Sequence, residues 1–187
     1  PSGAGKSTIL RLLYGNYLLQ DGYIQIGNTD LAKAAPRDIL SMRQSHLGYV
    51  SQFLRVLPRV STLKVVCEPM LKAGMDAVAA ETRAKDLLHK LRIPERLWHL
   101  SPLTFSGGEQ QRVNIARGLG PTYPALLLDE PTASLDAANR GTVLELINVA
   151  RQDGAAIIGI FHDKAAREQV CDREIDVSNF GAGHVYA

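Results

Sequence analysis

The chain of 187 residues carries 21 Lys and Arg against 19 Asp and Glu, and 45% of it is hydrophobic. That apolar content excludes disorder as the main state, and the length suits one domain, or one with a small subdomain. A formal charge of +2 does not suit a protein that neutralises many phosphates of duplex DNA, so no nucleic-acid partner is expected. Cys67 and Cys171 have no metal or disulfide spacing and read as reduced thiols of a reducing, cytoplasmic compartment. The longest strongly apolar stretch, Ala155 to Phe161, is far too short to cross a bilayer, so no direct membrane span is expected.

Pro1-Ser2-Gly3-Ala4-Gly5-Lys6-Ser7-Thr8 predicts a phosphate-binding loop running into a helix over Lys6 to Tyr14, with Gly15 at its end. Tyr23 to Ile26 reads as a short strand between glycines, and Leu47 to Val50 as another with Ser51-Gln52 at its end. Ser61 to Leu71 is expected to be helical, bent or ended near Pro69. Asp76 to Leu91 is the clearest amphipathic helix. Ala77, Ala80, Ala84, Leu87, Leu88 and Leu91 recur at helical spacing behind Asp76 as a cap. Short helical pieces are expected between Leu91 and Pro102.

From Ser106 the pattern alternates. Ser106 caps a helix to Leu119, and Ala125 to Leu128 is an apolar strand. Asp136 to Gln152 is a helix, Ala155 to Ile160 a second apolar strand, and Asp163 begins a further helix. Apolar strands alternating with helices predict a parallel sheet covered on both faces. The stretch of roughly 60–105 holds helices and no convincing strand, which predicts an inserted helical subdomain.

Gly5-Lys6-Ser7 supplies the second half of the pattern G-x-x-x-x-G-K-[ST], whose first glycine falls one position before Pro1. Gly3 and Gly5 let the backbone curl so that N–H groups face phosphate oxygens, and the helix start adds a positive dipole end. Lys6 would reach the β- and γ-phosphates, and Ser7 would offer its hydroxyl to Mg²⁺. Ser2, Ala4 and Thr8 complete the expected phosphate cradle.

Ala125-Leu126-Leu127-Leu128-Asp129-Glu130 ends an apolar run in two acids. Such a run suits a buried parallel strand whose acids emerge at its carboxyl end, the edge where these sheets bind ligands. Asp129 would hold Mg²⁺, and Glu130 would orient or deprotonate an attacking water. Gly107 and Gly108, directly behind Ser106, are poor helix residues. They suit a helix start that something must approach closely, and such a start is an anion site. Taken singly, a solvated acidic turn and a plain capped helix would also account for these two segments.

In this order the residues resemble the nucleotide-binding subunit of ABC ATPases over nearly the whole chain. Ser106-Gly107-Gly108-Glu109-Gln110 resembles the family's signature sequence, and Gln52 sits where the Q-loop glutamine falls. Ser134-Leu135-Asp136 resembles the D-loop, and His162 the switch histidine. The resemblance implies an α/β P-loop NTPase domain over 1–187, mainly a parallel sheet flanked by helices, with ATP and Mg²⁺ as cofactors. It places the N-terminal strands, the first loop glycine and the adenine-stacking aromatic upstream of Pro1, so the chain is expected to be a fragment. It also implies a head-to-tail dimer, with a second copy or a paralogue, in which Ser106, Gly107, Gly108, Glu109 and Asp136 belong to the shared nucleotide site. The implied roles are general base for Glu130, γ-phosphate sensors for His162 and Gln52, and Mg²⁺ contacts for Ser7, Gln52 and Asp129.

Four stretches, 50–60, 94–100, 105–118 and 159–163, closely resemble the L subunit of the bacterial carbon–phosphorus lyase system. That likeness implies phosphonate catabolism: an ATPase working with soluble carbon–phosphorus lyase subunits to support formation of ribose 1-phosphonate 5-triphosphate from phosphonate and ATP. Two other expectations stand beside it. One is the motor of a lipoprotein, lipid or peptide transporter with a separate permease. The other is a nucleotide-gated assembly subunit with little turnover, against which the intact Glu130 and His162 argue.

Overall fold

Three apolar segments build the central sheet of the computed structural model, which describes residues 5–177. They are β3 (Leu47–Val50), β4 (Ala125–Asp129) and β5 (Ala156–Ile160), hydrogen-bonded in that order and all parallel. Leu126, Leu127 and Leu128 of the middle strand are each at most 2% exposed. Alternation along a strand sends successive side chains to opposite faces. Leu126 and Leu128 therefore join the larger core, while Leu127 joins a smaller one with Leu10, Met42, Leu47 and Ile160. Ser2, Gly3 and Ala4 lie outside the described residues.

The smaller core is covered by α1 (Lys6–Leu13) and α2 (Pro36–Ser45), which supply Leu10 and Met42. The larger core is built by β3 and β4 with α3 (Thr62–Lys72), α4 (Ala77–Lys90), α5 (Gly107–Gly118) and α6 (Ala137–Gln152); α7 (Lys164–Val170) adds Ala166 and Val170. Between β3 and β4 the described chain is helical, with two short 3-10 turns at Glu95–Leu97 and Pro102–Thr104. Among the described residues no helix is long and apolar enough to cross a membrane.

Most predicted elements fall where the pattern puts them, and three differ. The strand expected over Tyr23 to Ile26 shrinks to β1 (Gln25–Ile26), which pairs antiparallel with β2 (Thr29–Asp30). Gly27 supplies the positive φ of 55° that this two-residue turn requires. α3, expected to be bent or ended near Pro69, runs through it to Lys72. Val65, Val66 and Met70 on its apolar face are at most 3% exposed, and burial of that face outweighs the one ladder bond that proline removes. α2 was not expected at all. It is polar, and its N-cap residue Ala35 has no side-chain oxygen; the carboxylate of Asp38 accepts the Ala35 N–H instead, at 3.1 Å. Pro36 at its first position was the one legible start signal.

Candidate active site

Asp129 ends β4 at the carboxyl edge of the sheet and is 2% exposed. A buried carboxylate needs donors, and both of its oxygens have one. Ser7, in the first turn of α1, donates its hydroxyl to Oδ1 at 3.0 Å. Tyr49 of β3 donates to Oδ2 at 3.2 Å. Burial, then the Asp129 charge, pushes the Tyr49 hydroxyl up to about 12, so it stays a donor. The Ser7–Asp129 pair also fits a magnesium ion. Two neighbouring oxygens of an octahedral Mg²⁺, each about 2.1 Å from the metal, lie roughly 3.0 Å apart. Before them, Gly5 takes a left-handed φ of 78° with open space around it and turns the chain into α1, which Lys6 opens.

Glu130 follows at the next position and leaves the strand with φ 53°, a left-handed conformation unusual for a residue with a Cβ. Its backbone is held on several sides. The Glu130 N–H donates to the Ile160 carbonyl at 3.1 Å, and its own carbonyl accepts from Ala133 N–H at 3.1 Å. Gln111 Nε2 donates to that carbonyl at 3.4 Å and to the Pro131 carbonyl at 3.2 Å. The strained turn aims the carboxylate between two groups. His162 Nε2 lies 2.8 Å from Oε1, and Gln52 Nε2 donates to Oε2 at 3.5 Å. Gln52, Glu130 and His162 thus follow the carboxyl ends of β3, β4 and β5 and meet at one point.

Two further polar side chains of α5 set this arrangement, and sequence reasoning gave them no role. Gln111 and Asn114 are buried. Gln111 fixes the Glu130 turn, and Asn114 Nδ2 donates to the Ser51 carbonyl beside Gln52 at 2.6 Å. Their signal was legible: polar residues three apart on a helix face that must meet the sheet. Arg167 does the same for the third strand end, donating from one terminal nitrogen to the carbonyls of Phe161 at 3.1 Å and His162 at 3.0 Å.

The residues at the start of α5 form a separate group. Ser106 Oγ donates to Glu109 Oε2 at 2.6 Å, the Ser106 N–H donates to the same oxygen at 2.9 Å, and the Glu109 N–H returns a bond to Ser106 Oγ at 3.4 Å. This is a capping box. The Ser106 hydroxyl, then its backbone N–H, hold the Glu109 carboxyl below the usual range. A Cβ at Gly108 would sit 3.3 Å from the Ser134 carbonyl oxygen, a tight approach that asks for a shift of a few tenths of an ångström; Gly107 faces open space. Asp136 caps α6 by accepting the Asn139 N–H at 2.8 Å, the bond that most lowers its carboxyl. The structure therefore gathers Ser7, Gln52, Asp129, Glu130 and His162, while the hydrogen bonds of Ser106, Glu109 and Asp136 stay within their own caps.

The family description "ABC transporter" matches residues 1–133. The lipoprotein-releasing system ATP-binding protein LolD of Novosphingobium aromaticivorans is 42% identical over 168 residues, covering 88% of this chain and 73% of that protein. LolD of Legionella pneumophila strain Paris is 37% identical, covering 91% of this chain and 75% of that protein. Among solved structures, the dimeric post-hydrolysis state of the ATP-binding cassette MJ0796, bound to ADP and Pi, superposes with a TM-score of 0.83. Its identity is 28%, covering 91% of this chain and 75% of that one.

The fold is that of a P-loop ABC cassette, a class whose cofactors are ATP and Mg²⁺. The chain belongs to the ABC transporter family, as an ATP-binding subunit. The relatives named above are lipoprotein-releasing subunits. They support the expectation of a transporter motor better than assignment to the carbon–phosphorus lyase system, and they lend no support to its soluble subunits as partners.

Proposed function

We propose that this chain hydrolyses ATP as the motor of a LolD-type membrane exporter, on the cytoplasmic side of the membrane. The observation that carries hydrolysis is the Glu130 carboxylate, bracketed by His162 Nε2 at 2.8 Å and Gln52 Nε2 at 3.5 Å beside the Ser7–Asp129 pair. In-line attack by water needs a base, a positioned γ-phosphate and charge neutralisation. Glu130 takes the proton of the attacking water. Gln52 and His162 orient that carboxylate and, with Lys6, meet the terminal phosphate. Ser7, Asp129 and Gln52 hold the divalent ion, which supplies charge neutralisation when bound. The cradle 2–8 holds the nucleotide's phosphates.

Exposed Gly107, with Ser106, Gly108 and Glu109 at a helix start, suits an anion brought by another molecule. In the proposed head-to-tail dimer that anion is the nucleotide of the second cassette, which Asp136 also approaches. The helical stretch of roughly 60–105, with the segment after Gln52, takes the membrane partner. There an apolar groove of about 1010 Å³ is lined by Val56, Leu57, Val60, Leu63 and Leu71. The decisive experiment for this reading is purification of the chain with its partners: a multi-span permease in the membrane fraction supports it, and an exclusively soluble complex defeats it.

A second reading keeps the ATPase chemistry and changes the partner. Residues 50–60 and 94–100, whose likeness is to the carbon–phosphorus lyase L subunit, include Arg55, Val56, Leu57, Val60 and His99 of that same groove. Partner choice is written in such a surface, so this likeness favours a soluble phosphonate-processing complex. Deleting the gene and testing growth on methylphosphonate as sole phosphorus source separates the two. Loss of growth supports the second reading, and unimpaired growth excludes it.

A further inference from the structure

Tyr49 stands in register with Leu127, two residues before Asp129 on the neighbouring strand. Its hydroxyl donates to Asp129 Oδ2 at 3.2 Å, while Ser7 donates to Oδ1 at 3.0 Å. A carboxylate held at one oxygen alone rotates and presents either oxygen to a cation. A second donor on Oδ2 removes that freedom and leaves Oδ1 beside Ser7.

The phenol is itself held in place. Its ring lies 4.9 Å from that of Tyr14, centroid to centroid, at an interplanar angle of 38°. The Arg43 guanidinium covers Tyr14 at 4.5 Å. Arg43 Nε donates to the Tyr14 carbonyl at 2.9 Å, and a terminal nitrogen donates to Asn16 Oδ1 at 2.9 Å. A chain of contacts, Arg43 to Tyr14 to Tyr49 to Asp129, therefore runs from α2 to the end of β4. Phenylalanine would fill the same space, so the hydroxyl is accounted for by Asp129.

We propose that Tyr49 is a positioning residue that fixes the Asp129 carboxylate, so that Oδ1 and Ser7 Oγ are presented together to the divalent cation. The proposal rests on the reading of Asp129 as a metal-holding residue. Tyr49→Phe keeps the ring stack and removes one donor, and a hydrogen bond to a charged group is worth roughly a 10- to 100-fold effect.

The test uses the full chain with Mn²⁺ and ADP. Mn²⁺ affinity at saturating ADP is read by electron paramagnetic resonance, and ADP affinity in EDTA by a fluorescent analogue. Tyr49→Phe is expected to weaken Mn²⁺ binding by roughly tenfold or more, with metal-free ADP affinity unchanged. Unchanged Mn²⁺ affinity, or an equal loss of ADP affinity in EDTA, overturns the proposal. Asp129→Asn is measured alongside. If it leaves Mn²⁺ affinity intact, the metal reading of Asp129 falls and takes the proposal with it; if it alone shifts, only the role of Tyr49 falls. Tyr14→Leu keeps the hydroxyl and removes the ring's support. Should Tyr49→Phe fail to fold, Tyr14→Leu carries the test: weaker Mn²⁺ binding supports the proposal, and none contradicts it.

Discussion

His162 Nε2 and Glu130 Oε1 lie 2.8 Å apart although 32 residues separate them in the chain. The two side chains leave neighbouring parallel strands at the same height, because Asp129 is in register with Ile160. The sheet thus converts two distant positions into one hydrogen-bonded pair. Removing the imidazole frees the Glu130 carboxylate. His162→Ala is expected to lower kcat by roughly 10- to 100-fold, the worth of a hydrogen bond to a charged group, with ATP affinity changed far less. Steady-state kinetics beside equilibrium binding checks this, and an equal loss in both would point to misfolding.

Arg167 holds the backbone on which that histidine stands. Its Nε also pairs with Glu174 at 2.9 Å. Arg167→Lys cannot reproduce a planar fork that serves two carbonyls and a carboxylate. The variant is expected to lose turnover by roughly tenfold with little change in melting temperature. Wild-type turnover would show that the switch segment needs no such support.

Gly118 is where α5 meets β3. A Cβ there would overlap Cγ2 of Val50, itself fully buried. Gly118→Ala is expected to destabilise the fold by about 1–3 kcal/mol through overpacking, measured by urea unfolding. Gly107→Ala meets open space and should change stability by less than about 1 kcal/mol, since alanine favours the helix. If Gly107→Ala nonetheless abolishes ATP-dependent self-association, an approaching partner needs the bare backbone there.

The capping box gives a pH dependence with a definite sign. The Glu109 carboxyl is held below its ordinary range, first by the Ser106 hydroxyl and then by its N–H. Its contribution to stability is therefore fully present above the unfolded-chain value near 4.3 and disappears as pH falls through the lower folded value. Glu109→Gln should be less stable than the parent at pH 7, with the difference closing below about pH 4. A difference independent of pH would mean the carboxylate charge is irrelevant to the cap.

Much of this was legible because local patterns carried it. Asp76, Ser106, Asp136 and Asp163 each precede a helix, and each side chain accepts a hydrogen bond from a first-turn backbone N–H. The apolar run ending in Asp129-Glu130 marked both the central strand and the site. What stayed hidden depended on tertiary partners. Tyr49 looks like any aromatic strand residue until Asp129 is placed beside it. α2 has too few apolar positions for a period and is held instead by Met42 and by Arg43 over Tyr14. Pro69 left either a bend or an end open for α3, because the burial of Val65, Val66 and Met70 that carries the helix past it depends on tertiary packing. The partner remained the least legible feature, since a groove of apolar and charged side chains drawn from separate segments carries no fixed spacing.

As the proposed base of an ATP-hydrolysing site, Glu130 should be needed for the chemical step and not for binding the nucleotide. Single-turnover hydrolysis of radiolabelled ATP by Glu130→Gln, alongside a filter-binding measurement of ATP affinity, tests it most directly. The expected result is a rate lower by roughly 10²- to 10⁴-fold with ATP affinity retained and the bound nucleotide recovered as ATP. Hydrolysis at the parent rate, with bound nucleotide recovered as ADP, would contradict it.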